Sequence, residues 1–217
     1  WPVKQLVLDL IPAPQPSFDN FVVGRNQEAL AALRAAASAA PTAKVIYLWG
    51  PGGAGKSHCA AALALVDDWA TLDGAKPDDG VVVDDADKLD DFRQQTLFNL
   101  INAQQTANGR LVATGPVAPR DLPLRRDLAS RLGSGLVFQL HPLSDGEKST
   151  ALKAHAHSRG FALRDDVLQY LLRHARRDMP SLMSFLDALD RHSLETGREI
   201  TLPMLREMAQ PPLGLTA

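Results

Sequence analysis

Cysteine is nearly missing. Cys59 is the only one in 217 residues, which excludes an internal disulfide framework and fits a reducing, cytoplasmic setting. Aromatic residues make up only 6% of the chain, so the core has to be built mainly from Ala, Leu and Val. Neither sign of charge is in excess, with 23 Lys+Arg against 25 Asp+Glu and a formal net charge of -2. That balance argues against a dedicated duplex-DNA binder, which carries a strong basic excess. No apolar run approaches the ~20 residues of a membrane helix, and no signal peptide is visible. What remains is an ordinary globular composition, 45% apolar and 22% charged. It suits one medium domain, or a core with a small appendage. The first residue is Trp1 rather than Met, so residues are expected to precede it.

Residues 1–16 read as an extended arm and linker. Leu6, Leu8 and Leu10 alternate at period two, and Pro12, Pro14 and Pro16 then forbid helix and stiffen the connection. A compact region follows over residues 17–142. Asn26 is placed to cap a helix carrying Ala29, Leu30 and Leu33 that stops before Pro41. Four short apolar runs, 45–49, 81–83, 111–113 and 136–138, alternate with helical stretches, the pattern of a parallel sheet covered on both faces. In the helix before the third run, Asp90 or Asp91 caps, Phe92, Leu97, Leu100 and Ile101 form a stripe, and Gly109 closes. After Pro142 the strands cease. Ser144 and Glu147 form a capping box, Asp165–Asp166 open a second helix, and Pro180 sits in the first turn of a third. A short fourth helix starts near Thr201–Pro203. Residues 143–217 are therefore expected to form a small all-helical domain.

The strongest chemical signal is Gly50-Pro51-Gly52-Gly53-Ala54-Gly55-Lys56-Ser57, a full match to G-x-x-x-x-G-K-[ST] between a strand and a helix. Glycines let backbone N–H groups wrap a phosphate, Lys56 would reach the β- and γ-phosphates, and the Ser57 hydroxyl would ligate Mg2+. His58, the next residue, is counted with this nucleotide site. Val81-Val82-Val83-Asp84-Asp85 reads as the companion Walker B strand, with Asp84 holding Mg2+ and Asp85 orienting the attacking water. Thr114, at the tip of the third strand, is either a polar sensor of the γ-phosphate or a simple strand-end hydroxyl. Arg131 has the chemistry to stabilise transferring phosphoryl oxygens; from the residues alone its simpler use is a surface salt bridge to Asp127. The run Gln5-Leu6-Val7-Leu8-Asp9-Leu10 could be an edge strand of the chain's own sheet, or a linear motif whose leucines enter another protein's pocket. His155 and His157, two apart on a helix, diverge onto a solvated surface rather than pairing on a metal. Cys59 reads as a small packed residue. Arg120, Arg125, Arg126 and Arg131 make a modest basic cluster diluted by Asp121 and Asp127.

Together these motifs resemble the initiator branch of the AAA+ ATPases, the DnaA-related family, over nearly the whole chain. The resemblance implies an α/β P-loop NTPase with a parallel sheet flanked by helices, followed by a helical lid. It also implies that Ser17–Gly24 lines the adenine site, with Phe18, Val22 and Val23 as contacts. Asp127–Leu132 resembles the family's box VII, whose arginine finger falls on Arg131. Gln5–Leu10 is similar to a hexapeptide that docks on the DNA polymerase sliding clamp (its beta subunit), with Gln5, Leu6, Leu8 and Leu10 as the contacts. Such a family member, retaining ADP or ATP with Mg2+, would promote hydrolysis of DnaA-bound ATP through Arg131 in trans and so inactivate DnaA. Its own P-loop would then act mainly as a switch with weak ATPase activity, and it could form a homodimer. The alternatives are an autonomous DnaA-like or helicase-loader-like ATPase acting on nucleic acid, and a clamp-bound adaptor with a vestigial P-loop. Two departures stand out. The family's sensor 2 arginine falls on Pro180, with Arg176 or Arg177 as nearby substitutes. Ser57 and Asp84 also lie only 27 residues apart, too few for the additional strand and helix of a complete sheet, so residues are expected to be missing near Leu65–Val66.

Overall fold

The computed structural model describes residues 15–37, 43–63, 76, 78–175 and 178–209. Gln5, Leu6, Leu8 and Leu10, the Leu65–Val66 region and Arg176–Arg177 lie outside the described residues. The chain divides into two compact units that meet in sequence at Pro142 and Leu143.

The first unit is built on four parallel strands: β1 (Val45–Trp49), β2 (Gly80–Val83), β3 (Arg110–Gly115) and β4 (Leu136–Gln139). Their order is β2-β3-β1-β4. In register, Leu48 lies beside Thr114 and Val83 beside Ala113. β1, β2 and β3 are mostly apolar and buried because helices cover both faces. On one face Val45, Tyr47, Val83 and Ala113 pack against Leu97 and Ile101 of α3 (Asp91–Gln104) and against Leu128 and Leu132 of α4 (Arg126–Gly133). On the other, Ile46, Leu48, Val82 and Val112 meet Ala29 and Leu33 of α1 (Gln27–Ala36), and Cys59 and Ala60 of α2 (Lys56–Ala62). Burying side chains of this size stabilises by ~1.5–3 kcal/mol each, so this three-layer core dominates the unit's stability.

Three local expectations fail here for identifiable reasons. Asn26 stands at the N-cap position of α1, but its side chain makes no cap bond; a distant partner takes it, as described below. Phe92 is 69% exposed and does not join the α3 stripe, because the helix turns Leu97, Leu100 and Ile101 inward. That helix, capped by Asp90 accepting from the Arg93 N–H at 2.8 Å, ends at Gln104, five residues before Gly109.

The second unit holds four helices among the described residues: α5 (Asp145–Ser158), α6 (Asp165–His174), α7 (Met179–Thr196) and α8 (Leu202–Ala209). The Ser144/Glu147 capping box forms, with the Glu147 N–H on Ser144 Oγ at 3.2 Å and the Ser144 N–H on Glu147 Oε2 at 2.8 Å. Asp178 caps α7, and Pro180 occupies its first turn, where no N–H is missed. Leu152, Leu171, Leu186 and Leu205 are fully buried between these helices. His155 is not a solvated residue: its Nε2 lies 2.7 Å from Asp187 Oδ1, and Arg159 Nε reaches Asp190 Oδ2 at 3.2 Å, so α5 and α7 are joined by charge as well as by leucine. His157 is exposed.

Candidate functional site

β1 is flanked by β3 and β4, and the chain leaves β1 for α2 on one face but β3 for α4 on the other. Ligands of open parallel sheets bind beyond the carboxyl ends of strands at such a switch point. The conspicuous sequence motifs fall there. Gly50, directly after β1, has φ 150, and a Cβ on it would lie 2.3 Å from the Leu140 carbonyl oxygen, so no side chain fits. Gly55, with φ 92, forms the left-handed entry to α2; a Cβ there would meet Phe21 at 2.7 Å as well as demanding a backbone that L residues rarely adopt. Lys56 bends over the loop, its Nζ donating to the Gly50 carbonyl at 2.7 Å and to the Pro51 carbonyl at 3.1 Å. Gly52, Gly53 and Ser57 are exposed, whereas Ala54 is buried and anchors the loop to the core.

The register of β2 and β3 sets the next feature. With Val83 beside Ala113, the following residues Asp84 and Thr114 come opposite one another. The Thr114 hydroxyl, fully buried, donates to Asp84 Oδ1 and accepts from the Asp85 N–H at 3.0 Å. Thr114 therefore braces the Asp84 carboxylate and the Asp85 backbone, as a donor to one and an acceptor from the other. Asp85 carries φ 52, the one positive value among described residues other than glycine. Its Oδ2 lies 2.6 Å from Lys88 Nζ, and its carbonyl accepts from the Lys88 N–H at 2.9 Å. The side-chain hydrogen bond to Asp85, with the attraction of its carboxylate, raises the Lys88 ammonium above its ordinary pKa.

Over the loop helix lies the segment before α1. Ser17 and Asn20 lock a turn, the Ser17 N–H on Asn20 Oδ1 at 2.9 Å and the Asn20 N–H on Ser17 Oγ at 3.3 Å. His58 Nε2 is 2.9 Å from the Ser17 carbonyl oxygen, and the Phe21 and His58 rings are 5.5 Å apart. Phe18, Val22 and Val23 are half-buried in this segment. Its far end is tied by Asn26, whose Nδ2 donates to the His141 carbonyl at 2.9 Å and whose Oδ1 accepts from the His141 N–H at 2.8 Å. These contacts explain why Asn26 leaves the helix cap unused.

Arg131 is exposed on α4. The expected salt bridge to Asp127 does not form: Asp127 is held by Arg125 at 2.7 Å, which with the Leu128 N–H lowers its pKa against the opposing cost of burial. Arg125 also donates to Gln95, and Arg120 pairs with Asp121. Cys59 is buried, and burial pushes its thiol up to about 12, as a packing role requires. The residues that sequence reasoning passed over are Phe21, His141 and Lys88. Phe21 lay inside the segment already singled out, and Lys88 stands three residues from Asp85, a spacing that brings side chains together in a helical turn; nothing local marks His141. No group of three or more His, Cys, Asp or Glu residues able to hold a metal occurs among the described residues, so Mg2+ would depend on Ser57, Asp84, phosphate oxygens and water, a donor set that this small hard cation favours. No helix among the described residues is long and apolar enough to cross a membrane.

Known proteins fit this geometry. Residues 145–209 match the family model described as Hda, lid domain. The fold is similar to that of domain III of the replication initiation protein DnaA from Thermotoga maritima, at 20% identity and TM-score 0.65, covering 93% of this chain and 99% of that one. It is similar to AMPPCP-bound DnaA from Aquifex aeolicus, at 18% identity and TM-score 0.64 over 87% of this chain and 68% of that one. It also resembles the Thermotoga maritima RuvB Holliday junction branch migration motor, at 18% identity and TM-score 0.62 over 90% and 72% of the respective chains. A region that matches the Hda lid model thus follows an α/β core with the fold of DnaA domain III.

Proposed function

We propose that this chain is a nucleotide-dependent regulator of chromosome replication initiation that promotes hydrolysis of DnaA-bound ATP. The match of residues 145–209 to the Hda lid carries this reading, because it separates the chain from AAA+ proteins that share only its fold. The P-loop supplies the phosphate cradle, with Lys56 released from its own loop carbonyls onto the β- and γ-phosphates of ADP or ATP. Ser57 and Asp84 would hold Mg2+, which neutralises phosphate charge when bound. Phe18, Val22, Val23 and His58 border the base, and Asp85 orients the water in the chain's own slow turnover. Arg131, exposed and without a carboxylate partner among the described residues, is the finger offered in trans to the nucleotide of DnaA. Gln5, Leu6, Leu8 and Leu10 dock on the sliding clamp, which brings the regulator to DNA.

The test is the turnover of ATP-loaded DnaA with this protein, with and without DNA-loaded clamp. Stimulation that needs the clamp, and that is lost on deleting residues 5–10 while ADP binding survives, is the expected result. Hydrolysis by this chain alone, indifferent to DnaA and clamp, would instead identify an autonomous ATPase.

A further inference from the structure

Two adjacent carboxylates end β2, and their surroundings differ. Asp84 receives a neutral hydroxyl, that of Thr114, and no cation lies within ion-pair distance among the described residues, so its charge is available. Asp85 is gripped twice by one residue, through the Lys88 ammonium on Oδ2 at 2.6 Å and the Lys88 N–H on its carbonyl at 2.9 Å. Its own N–H is fixed by Thr114 at 3.0 Å, and its backbone sits in the left-handed region that only a well-determined setting maintains in a residue other than glycine. A carboxylate that is to take a proton from water needs its lone pairs facing that water. One facing an ammonium at hydrogen-bond distance is turned away from that water.

We propose that Lys88 is a positioning residue that restrains Asp85 and so holds back ATP cleavage at this chain's own nucleotide site, keeping bound ATP from being spent. The proposal deepens the nucleotide-site reading above and rests on it. In the restrained step a water oxygen forms a bond to the γ-phosphorus as the bond from phosphorus to the β–γ bridging oxygen breaks. The water's proton passes to Asp85 and on to solvent, giving ADP, phosphate and a proton. While Lys88 holds Oδ2, the carboxylate is turned toward the ammonium and offers the water one oxygen fewer. The Lys88 side chain is 71% exposed and that of Asp85 43%, so the restraint is a surface ion pair, open to salt and to competing carboxylates. A pair of this kind limits the suppression to about fivefold.

The experiment measures single-turnover hydrolysis at saturating ATP for the full chain, Lys88→Met, Lys88→Arg, Asp85→Asn and the Lys88→Met/Asp85→Asn double variant, with affinity followed separately by a fluorescent ADP analogue. Lys88→Met should cleave about two- to fivefold faster at unchanged affinity, and Lys88→Arg should stay at the wild-type rate. Raising salt from about 0.05 to 0.3 M should speed the wild type but not Lys88→Met. Asp85→Asn should be inactive in either background. An unchanged or slower Lys88→Met with intact ADP binding overturns the proposal, as does residual activity of the double variant. A wild-type chain that binds no adenine nucleotide overturns the nucleotide-site reading, and this proposal with it.

Discussion

Replacing Thr114 with valine removes one oxygen from the centre of the site without changing its volume. The lost hydroxyl donates to Asp84 and accepts from the Asp85 N–H, and it is fully buried. A hydrogen bond to a charged group contributes ~1.5–3 kcal/mol, and an abandoned N–H costs ~1–3 kcal/mol when water cannot replace the partner. Asp84 and Asp85 are half-buried, so water recovers part of both, and the added methyl group returns under ~1 kcal/mol. The net expectation is a loss of about 2 kcal/mol, which lowers the melting midpoint of a protein this size by roughly 4–8 °C. Thr114→Ser keeps the hydroxyl and gives up only a methyl group, so it should fall by about half as much. Thermal unfolding of the three proteins, followed by circular dichroism, decides the matter. A Thr114→Val protein as stable as the wild type, or less damaged than Thr114→Ser, would show that the hydroxyl does not brace the Asp84 carboxylate and the Asp85 backbone.

Asn26→Ala should destabilise by about 2–3 kcal/mol, since both polar groups of the His141 backbone lose their partner; denaturant midpoints comparable with those of a surface alanine variant such as Gln27→Ala would contradict this. Arg131→Ala should unfold within about 0.5 kcal/mol of wild type, as an exposed residue does, yet reduce stimulation of DnaA by roughly 10³-fold or more, read as phosphate release from DnaA. Native Cys59 should resist alkylation at pH 8 by about a thousandfold relative to an ordinary thiol, and react at once in denaturant. The linked stability effect has a fixed sign. The folded thiol titrates at about 12 rather than 9.0, so the unfolded chain binds fewer protons between those values and stability falls as pH rises through that window.

Much of the fold was legible because its signals are short-range. Each inner strand is an apolar run that a two-sided sheet demands, and the Ser144/Glu147 box announces its helix in four residues. The glycine loop after β1 was legible as one contiguous motif of eight residues, although the contacts that exclude a side chain at Gly50 and Gly55 come from Leu140 and Phe21, far off in sequence. What failed was long-range. Asn26 looked like a cap because the capping rule knows only its neighbours, whereas its partner is 115 residues away. The role of Thr114 depends on a register between β2 and β3 that no local pattern encodes. Asp127 pairs with Arg125, two residues before it, rather than with Arg131, four residues after it. Phe92 shows the opposite error, an apolar residue assigned to the interior on character alone although helix geometry turns it outward.

The paired amide of Asn26 has a mechanical consequence. It rivets residue 26, where the segment bordering the phosphate loop ends, to residue 141, the last but one before the second unit begins. Entrance and exit of the core thus share one fixed point. The segment beside the loop and the chain leaving the core are therefore held to one another by two hydrogen bonds that bypass the sheet.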